Sequence, residues 1–166
     1  IQRHVERMLN DDKTVSFIHN FTGQWLDLRK LGTMPPDPES NKSYYSDNLE
    51  EAMRQETRLF FAHIMQQNRS VLEFIDADYT FANSALARHY GIQMETGPGF
   101  QKIVVPGDAN RGGVLRQGSI LTATSNGVEK LPVSRGMWVL ENLLGIHPNP
   151  PPPDIEPIEP DTRGVT

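Results

Sequence analysis

Cysteine is missing from this chain of 166 residues. Disulfides, thiolate zinc sites, iron–sulfur clusters and covalent haem attachment are therefore excluded within the sequence, because each of them needs a cysteine sulfur. Apolar runs are short, and none approaches the roughly 20 residues that a membrane-spanning helix needs. The sequence carries no signal peptide, and Ile1 stands in place of an initiator Met. We therefore expect an excised or processed piece of a longer protein.

Basic residues are few and scattered. The chain has 16 Lys and Arg against 21 Asp and Glu, which gives a formal net charge of -5. Proteins that bind a phosphate backbone do so through clustered Lys and Arg. We therefore expect no nucleic-acid partner. The length fits one domain, or two small ones that share a core.

Apolar residues at helical spacing dominate the first half of the chain. A stripe of four residues predicts one helix, which Thr14 can cap. The stripe consists of Phe17, Phe21, Trp25 and Leu28. Asp47 followed by Glu50 resembles a capping box and predicts a long helix that ends near Gln67. A shorter helical pair follows and ends at Gly91, which suits a left-handed C-cap.

Turn residues and mixed patterns are typical of the second half. Residues 100–105 (FQKIVV) favour a strand. Residues 114–125 repeat at helical spacing, although Ile120 and Thr122 favour a strand, and we predict a helix there. Residues 132–144 are apolar nearly all round and predict a buried helix that stops at Gly145. We expect one shared core that contains Trp25, Phe60, Leu86, Trp138 and Leu140.

Seven of the thirteen prolines lie between Pro148 and Pro160. Their fixed backbone angle and missing amide hydrogens predict a polyproline II spacer, which this composition favours over an SH3-type ligand. The predicted fold class is therefore mainly α: a compact helical domain with at most a small β element and a C-terminal proline-rich extension. We divide it into a helical unit at 1–105, a second unit at 106–147 that shares the core, and a proline-rich linker at 148–166.

The order of motifs resembles two families of unknown function. Three front segments carry the first resemblance: residues 17–28 (FIHNFTGQWLDL), 52–61 (AMRQETRLFF) and 74–91 (FIDADYTFANSALARHYG). They are similar to the Domain of Unknown Function 1592 family. The second resemblance rests on Arg111, Gly112 and Leu115, on residues 119–125 (SILTATS) and 132–145 (PVSRGMWVLENLLG), and on the prolines. It is to the Domain of Unknown Function 1588 family, from whose pattern residues 127–131 (GVEKL) depart.

The resemblance carries expectations about function. Both families occur in large planctomycetal proteins that look like multidomain c-type cytochromes, in which a Cys-x-x-Cys-His motif tends to follow the proline segment. The resemblance implies haem c in the parent protein but not in this fragment, a neighbouring haem domain as partner, and an extracytoplasmic or periplasmic location. We expect a non-catalytic helical scaffold or docking module that supports electron transfer. The alternative is an enzyme domain acting on an extracellular polysaccharide.

Glu56 and His63 are the candidate catalytic residues, because helical spacing turns both toward the apolar side of the long helix. Burying them without partners would cost several kcal/mol. Seven residues separate them, or roughly 10 Å along the axis, which is too far for a zincin-type ligand pair. We favour a structural role, with an Arg from another element paired to the Glu; Arg111, Arg116 and Arg135 are the possible partners.

Three further features resemble known sites. His63 and His89 are candidate distal ligands for a haem held by another domain, although a packing role is favoured. Asp76 and Asp78 lack the Gly and the acid that an EF-hand needs, so we predict helix capping rather than metal binding. Residues 107–113 (GDANRGG) lack the Lys and Ser/Thr of a P-loop and predict a plain loop. We therefore predict no metal site in the chain.

Overall fold

The structure is a computed structural model, and it describes residues 1–94, 97–107, 112–127 and 131–149. The α-helices, in chain order, are α1 (Gln2–Leu9), α2 (Thr14–Trp25), α3 (Lys42–Ser46), α4 (Leu49–Gln66), α5 (Ser84–Tyr90), α6 (Gly118–Ala123) and α7 (Pro132–Trp138). The strands are β1 (Tyr79–Ala82) and β2 (Gln101–Val104). Single turns of 3₁₀ helix lie at Leu28–Lys30, Val71–Phe74 and Val114–Arg116, and a π-helical turn at Val139–Leu143 follows α7. The predicted fold class, mainly helical with a small β element, is confirmed.

Helix α4 is the centre of the molecule and contacts α2, α3, α5, α6 and β1. Its inward side carries Leu49, Met53, Phe60 and Ile64 at spacings of four and seven residues, as an amphipathic helix requires. The helix begins after Asn48, which has a left-handed backbone (φ 50°) and makes no side-chain cap. The predicted capping box is therefore wrong: the Asp47 carboxylate accepts a hydrogen bond from Arg88.

The two strands form an antiparallel pair, in which Tyr79 lies opposite Val104 and Ala82 opposite Gln101. The strand predicted at residues 100–105 is thus confirmed, whereas β1 occupies a stretch predicted as helical. Asn83 caps the following helix, since its side chain accepts a hydrogen bond from the Leu86 amide. The capping predicted for Asp76 and Asp78 is wrong, because β1 separates both residues from that helix. Gly91 ends α5 with φ 69°, as predicted.

Buried side chains form two clusters rather than one. The first contains Leu49, Met53, Leu86 and Ile92, and it packs α4 against α3 and α5. The second contains Phe60, Ile120 and Trp138 with the half-buried Trp25 at its margin, and it joins residues from both halves of the chain. The expectation of one core is corrected accordingly: Leu86 belongs to the first cluster, and Leu140 is half-buried and lies outside both.

Two helices expose more apolar surface than the sequence predicts. In α7 and the π-helical turn only Trp138 is buried, whereas Val133 and Leu144 are exposed. In α2 the buried residues are Thr14, Ile18, Thr22 and Gly23, so the aromatic stripe is not the inward face. Thr14 does not cap that helix: its hydroxyl donates to the Met8 carbonyl (2.5 Å).

The second half of the chain approaches the first through glycine. Gly112 and Gly113 have positive φ angles (104° and 64°), and a Cβ on either would overlap the carbonyl oxygens of Ala77 and Ile75. A Cβ on Gly118 would lie 2.8 Å from the Met53 methyl group and from the Tyr90 hydroxyl. Only glycine lets the backbone come this close without displacing its neighbours.

Candidate functional site

Glu56 lies at the centre of a buried polar cluster between the helices and the sheet. Its side chain is 1% exposed. Thr80 Oγ1 of β1 donates to Glu56 Oε1 and Tyr90 OH of α5 donates to Glu56 Oε2, both at 2.5 Å. Tyr90 OH in turn accepts a hydrogen bond from the Gly118 amide at 2.8 Å. One carboxylate thereby joins α4, β1, α5 and the start of α6.

Thr57 forms the second branch of this buried cluster. Its hydroxyl lies 2.7 Å from Gln117 Oε1 and 2.6 Å from Ser119 Oγ, and also 3.2 Å from the Met53 carbonyl. Gln117 and Ser119 are themselves almost fully buried. The cluster therefore links adjacent positions of α4 to two residues that flank the start of α6.

The geometry around Glu56 is that of a structural carboxylate. Both oxygens accept hydrogen bonds, and such charge-assisted bonds stabilise a buried carboxylate far better than apolar packing. Of the possible cationic partners, Arg111 lies outside the described residues and Arg116 is exposed. Arg135 donates to Thr124 Oγ1 (3.2 Å) and to the Leu121 carbonyl (3.5 Å). The ion pair of Glu56 therefore stays a prediction.

His63 lies on α4 two turns beyond Glu56, in a different environment. It is half-buried, and its Nε2 atom is 3.2 Å from the Lys102 ammonium nitrogen on β2. Its ring packs against Tyr79 and Phe81 at 5.4 and 5.5 Å between centroids. Burial lowers the pKa of His63, and the nearby charges of Lys102 and Arg69 lower it further. The structure thus does not bring His63 and Glu56 together.

The other candidate haem ligand, His89, lies at the surface. It is exposed on α5, and its ring is 5.7 Å from that of Tyr90. Within the described ranges, no group of three His, Asp or Glu side chains is arranged to hold a metal ion. No helix among the described residues has the length and apolarity needed to cross a bilayer.

Five rings form a continuous surface that we call the aromatic face: Phe17, Phe21, Trp25, Phe61 and Phe74. Phe17 and Phe21 stack at 5.5 Å and are 51% and 40% exposed, whereas Phe61 beneath them is buried. Trp25 Nε1 donates to the Asn142 carbonyl at 2.6 Å, so the π-helical turn borders this face.

A cleft of about 280 Å³ lies where the two halves of the chain meet. Asp27 and Lys30, which pair at 2.7 Å, line it from the first half. Met137, Trp138 and Glu141 line it from the second half. Its volume is just below the roughly 300–1,000 Å³ that is typical of small-molecule sites.

Comparisons with known proteins identify the two halves. Residues 1–92 match the family model described as Protein of unknown function (DUF1592), and residues 111–166 match the one described as Protein of unknown function (DUF1588). Since the first match covers more than half of the chain, the protein belongs to the DUF1592 family. The resemblance and the order of the two segments are confirmed. No curated protein and no solved structure matches the chain at a significant level.

Several residues that contact Glu56 or His63 were not predicted from the sequence. Thr80 and Tyr90 hold Glu56, and Lys102 and Tyr79 surround His63. Thr80 and Tyr79 lie on β1, whose four residues are too few for a period-two pattern to stand out from the flanking helical spacing. Had the YTFA stretch been read as a strand paired with residues 101–104, its alternation would have placed Thr80 and Tyr79 on opposite faces.

Proposed function

We propose that this chain is a non-catalytic helical scaffold and docking module of an extracytoplasmic c-type cytochrome-like protein. It supports electron transfer by a neighbouring haem domain of the same parent chain. The observation that carries the proposal is the exposed aromatic face. Haem c in the parent, the location and the planctomycetal origin enter through the resemblance alone.

The aromatic face has the properties of a docking surface. Large contiguous apolar patches are uncommon on monomers and often mark interaction sites. Aromatic rings are also enriched in protein interfaces, where they bury much area at little cost in side-chain entropy. Phe17 and Phe21 pack in tilted contacts against Phe61, which is buried and supports the two exposed rings from below. Covering the two exposed rings would gain about 25 cal/mol for each Å² of apolar surface removed from water.

The test is the protein expressed from its complete reading frame. Its haem c content is measured by absorption, and electron transfer by stopped-flow reduction of the haem. We expect a c-type spectrum, and slower electron transfer in the double variant Phe17→Ser/Phe21→Ser. The control is Val133→Ser, which changes an apolar residue elsewhere that is more exposed (77%) than either ring. Absence of haem c, or equal rates in all three proteins, would refute the proposal.

A haem titration of this chain by itself separates docking from direct ligation. A docking module takes up no haem, because noncovalent binding needs a large apolar slot with a well-placed His. His63 instead lies beside Lys102, and His89 is exposed. We therefore expect no Soret shift at micromolar haem. A sharp shift that His63→Ala or His89→Ala abolishes would make the domain a direct participant in electron transfer.

The alternative is an enzyme domain acting on an extracellular polysaccharide, and one observation favours it. The cleft between the two halves carries the carboxylates of Asp27 and Glu141. Glycoside hydrolysis uses such a pair, one as acid and the other as base or nucleophile. The test is release of reducing sugar from a panel of polysaccharides. Activity that is lost in both Asp27→Asn and Glu141→Gln would place this alternative ahead of the docking module.

A further inference from the structure

Lys102 has an unusual environment for a surface lysine. Its ammonium nitrogen is 3.2 Å from His63 Nε2 and 3.9 Å from the centre of the Tyr79 ring. Among the described residues, no carboxylate forms an ion pair with it. The nearby carboxylate, Glu73, accepts hydrogen bonds from Arg69 Nε (3.0 and 3.1 Å) and from Tyr79 OH (2.5 Å). Among the residues that the structure describes, the Lys102 ammonium group therefore lies against an imidazole and an aromatic ring rather than against a carboxylate.

The surroundings of Lys102 supply more donors than acceptors. Since the ammonium group has no lone pair, it must donate to His63 Nε2, which places the proton of the neutral imidazole on Nδ1. Arg69 lies near the pair, where its positive charge helps to lower the pKa of His63. Its side chain is 46% exposed. Three side chains thus offer N–H groups; Lys102 and Arg69 carry full positive charge, and that of Arg69 is already paired with Glu73.

Packing holds the His63 ring, and the exposed Lys102 side chain lies over an aromatic ring. His63 packs against the rings of Tyr79 and Phe81, and the strand register places Lys102 directly opposite Phe81. The Tyr79 ring attracts the ammonium group through its negative face. Because these contacts already restrict the His63 ring and the Lys102 ammonium group, binding a ligand here would lose less side-chain entropy than at two freely moving side chains.

We propose that Lys102 and His63, flanked by Arg69, form a binding site for an oxyanion, a sulfate or carboxylate group. The oxyanion would accept hydrogen bonds from the Lys102 ammonium, the His63 imidazole and the Arg69 guanidinium, and it would balance the charge of Lys102. The site lies where α4 packs against the two strands, and it involves none of the residues of the aromatic face. A test of this site is therefore independent of the proposed docking function.

The test follows the ring protons of His63 by NMR while sodium sulfate replaces sodium chloride at constant ionic strength. We expect a saturable shift with half-saturation on the order of 1–10 mM, which is the affinity of a few charge-assisted hydrogen bonds. In Lys102→Met, which keeps the unbranched stem of the side chain but lacks the ammonium group, binding is at least tenfold weaker. The matched control Lys30→Met removes an ammonium group already paired with Asp27 and leaves the shift unchanged.

A second measurement keeps the test decisive if Lys102→Met perturbs the fold. In the unaltered chain, a bound anion favours the protonated imidazole, so saturating sulfate raises the pKa of His63 relative to chloride. Equal pKa values in the two salts, or a linear shift without saturation, would overturn the proposal. Parallel titrations with acetate and with a sulfated oligosaccharide distinguish a free ion from an anionic polymer as the source, since a polymer saturates the site at far lower concentration.

Discussion

The two family segments contribute to one structure in opposite ways. Residues 1–92 supply long side chains: Phe60, Leu26, Leu49 and Leu86 are among the largest fully buried groups in the molecule. Residues 112–149 supply fewer large groups and instead bring their backbone close, through Gly112, Gly113 and Gly118. The first segment therefore contributes mainly buried apolar side chains at helical spacing. The second contributes glycine backbone that fits where a Cβ atom would clash.

The contacts between the segments follow the same division. The side chains of Trp25 and Tyr90, in the first segment, bond to backbone groups of Asn142 and Gly118 in the second. Each of these contacts needs its partner in a fixed position. We therefore expect a substitution in either segment to affect the stability of both.

Truncation of one large core residue from each segment should have the largest effect. We expect Phe60→Ala and Trp138→Ala each to lower the free energy of unfolding by about 3–5 kcal/mol, because both rings are buried in the same cluster. Urea denaturation followed by circular dichroism measures this. The control Val133→Ala, at an exposed position, should cost less than about 0.5 kcal/mol. Two separate transitions, or a loss below about 1 kcal/mol for Trp138→Ala, would contradict a shared core.

A pair of glycines compares a crowded backbone position with an open one. Gly113 and Gly145 have nearly the same φ angle (64° and 65°), but Gly113 combines it with ψ 164°, and a Cβ added there would overlap the Ile75 carbonyl, whereas one added at Gly145 would meet nothing within 4 Å. Gly145→Ala should cost about 1 kcal/mol, which is the strain of an alanine at positive φ. Gly113→Ala should cost about 2–4 kcal/mol, because overpacking adds to the strain of a backbone conformation that essentially only glycine adopts. Equal losses in thermal or urea unfolding would show that backbone proximity does not hold the second segment in place.

The buried carboxylate ties the segments together through Tyr90. We expect Glu56→Gln to cost about 1.5–3 kcal/mol, because the amide replaces one charged acceptor by a donor that faces a hydroxyl group. Glu39→Gln, at an exposed position, is the matched control and should change stability by less than about 0.5 kcal/mol. The measurement is urea unfolding at neutral pH. A neutral effect of Glu56→Gln would mean that the carboxylate is dispensable for the fold.

The smallest effect lies within the first segment and depends on pH. Hydrogen bonds from Tyr79 and then Arg69 hold the pKa of Glu73 below its ordinary value of 4.5. A depressed carboxyl pKa contributes stability above pH 4.5, and that stability is lost as the pH falls through the lower folded-state value. Tyr79→Phe should therefore cost a few tenths to about 1 kcal/mol at pH 7. The difference from the unaltered chain should shrink below pH 4 in urea unfolding, and a constant difference would contradict this origin.

Sequence reasoning predicted the first segment better than the second. The long helix, the burial of Glu56 and the C-cap at Gly91 follow from spacing and residue type, and the structure has all three. The inward face of α2 was wrong, because hydrophobicity favoured the aromatic stripe. The helix instead buries Thr14, Ile18, Thr22 and Gly23, whose small or β-branched side chains allow a closer approach to neighbouring elements.

The second segment shows why periodicity failed there. An apolar helix was expected to be buried all round, yet in α7 and the turn after it only Trp138 is covered. The close contacts of Gly112 and Gly113 leave no hydrophobic signal, since the sequence GG is equally typical of a plain loop. The environment of Lys102 was also not predictable, because it depends on pairing between strands 19 or more residues apart.

The chain has two tryptophans, one in each segment, and both meet at Asn142. Trp25 Nε1 donates to the Asn142 backbone carbonyl. With the Asn142 side chain turned so that its nitrogen donates to the Trp25 carbonyl, its oxygen accepts from Trp138 Nε1 at 2.9 Å. Indole emission depends on the polarity and hydrogen bonding around the ring. The protein therefore carries an intrinsic fluorescent reporter of the joint between its segments, which can follow separation of the two without any attached dye.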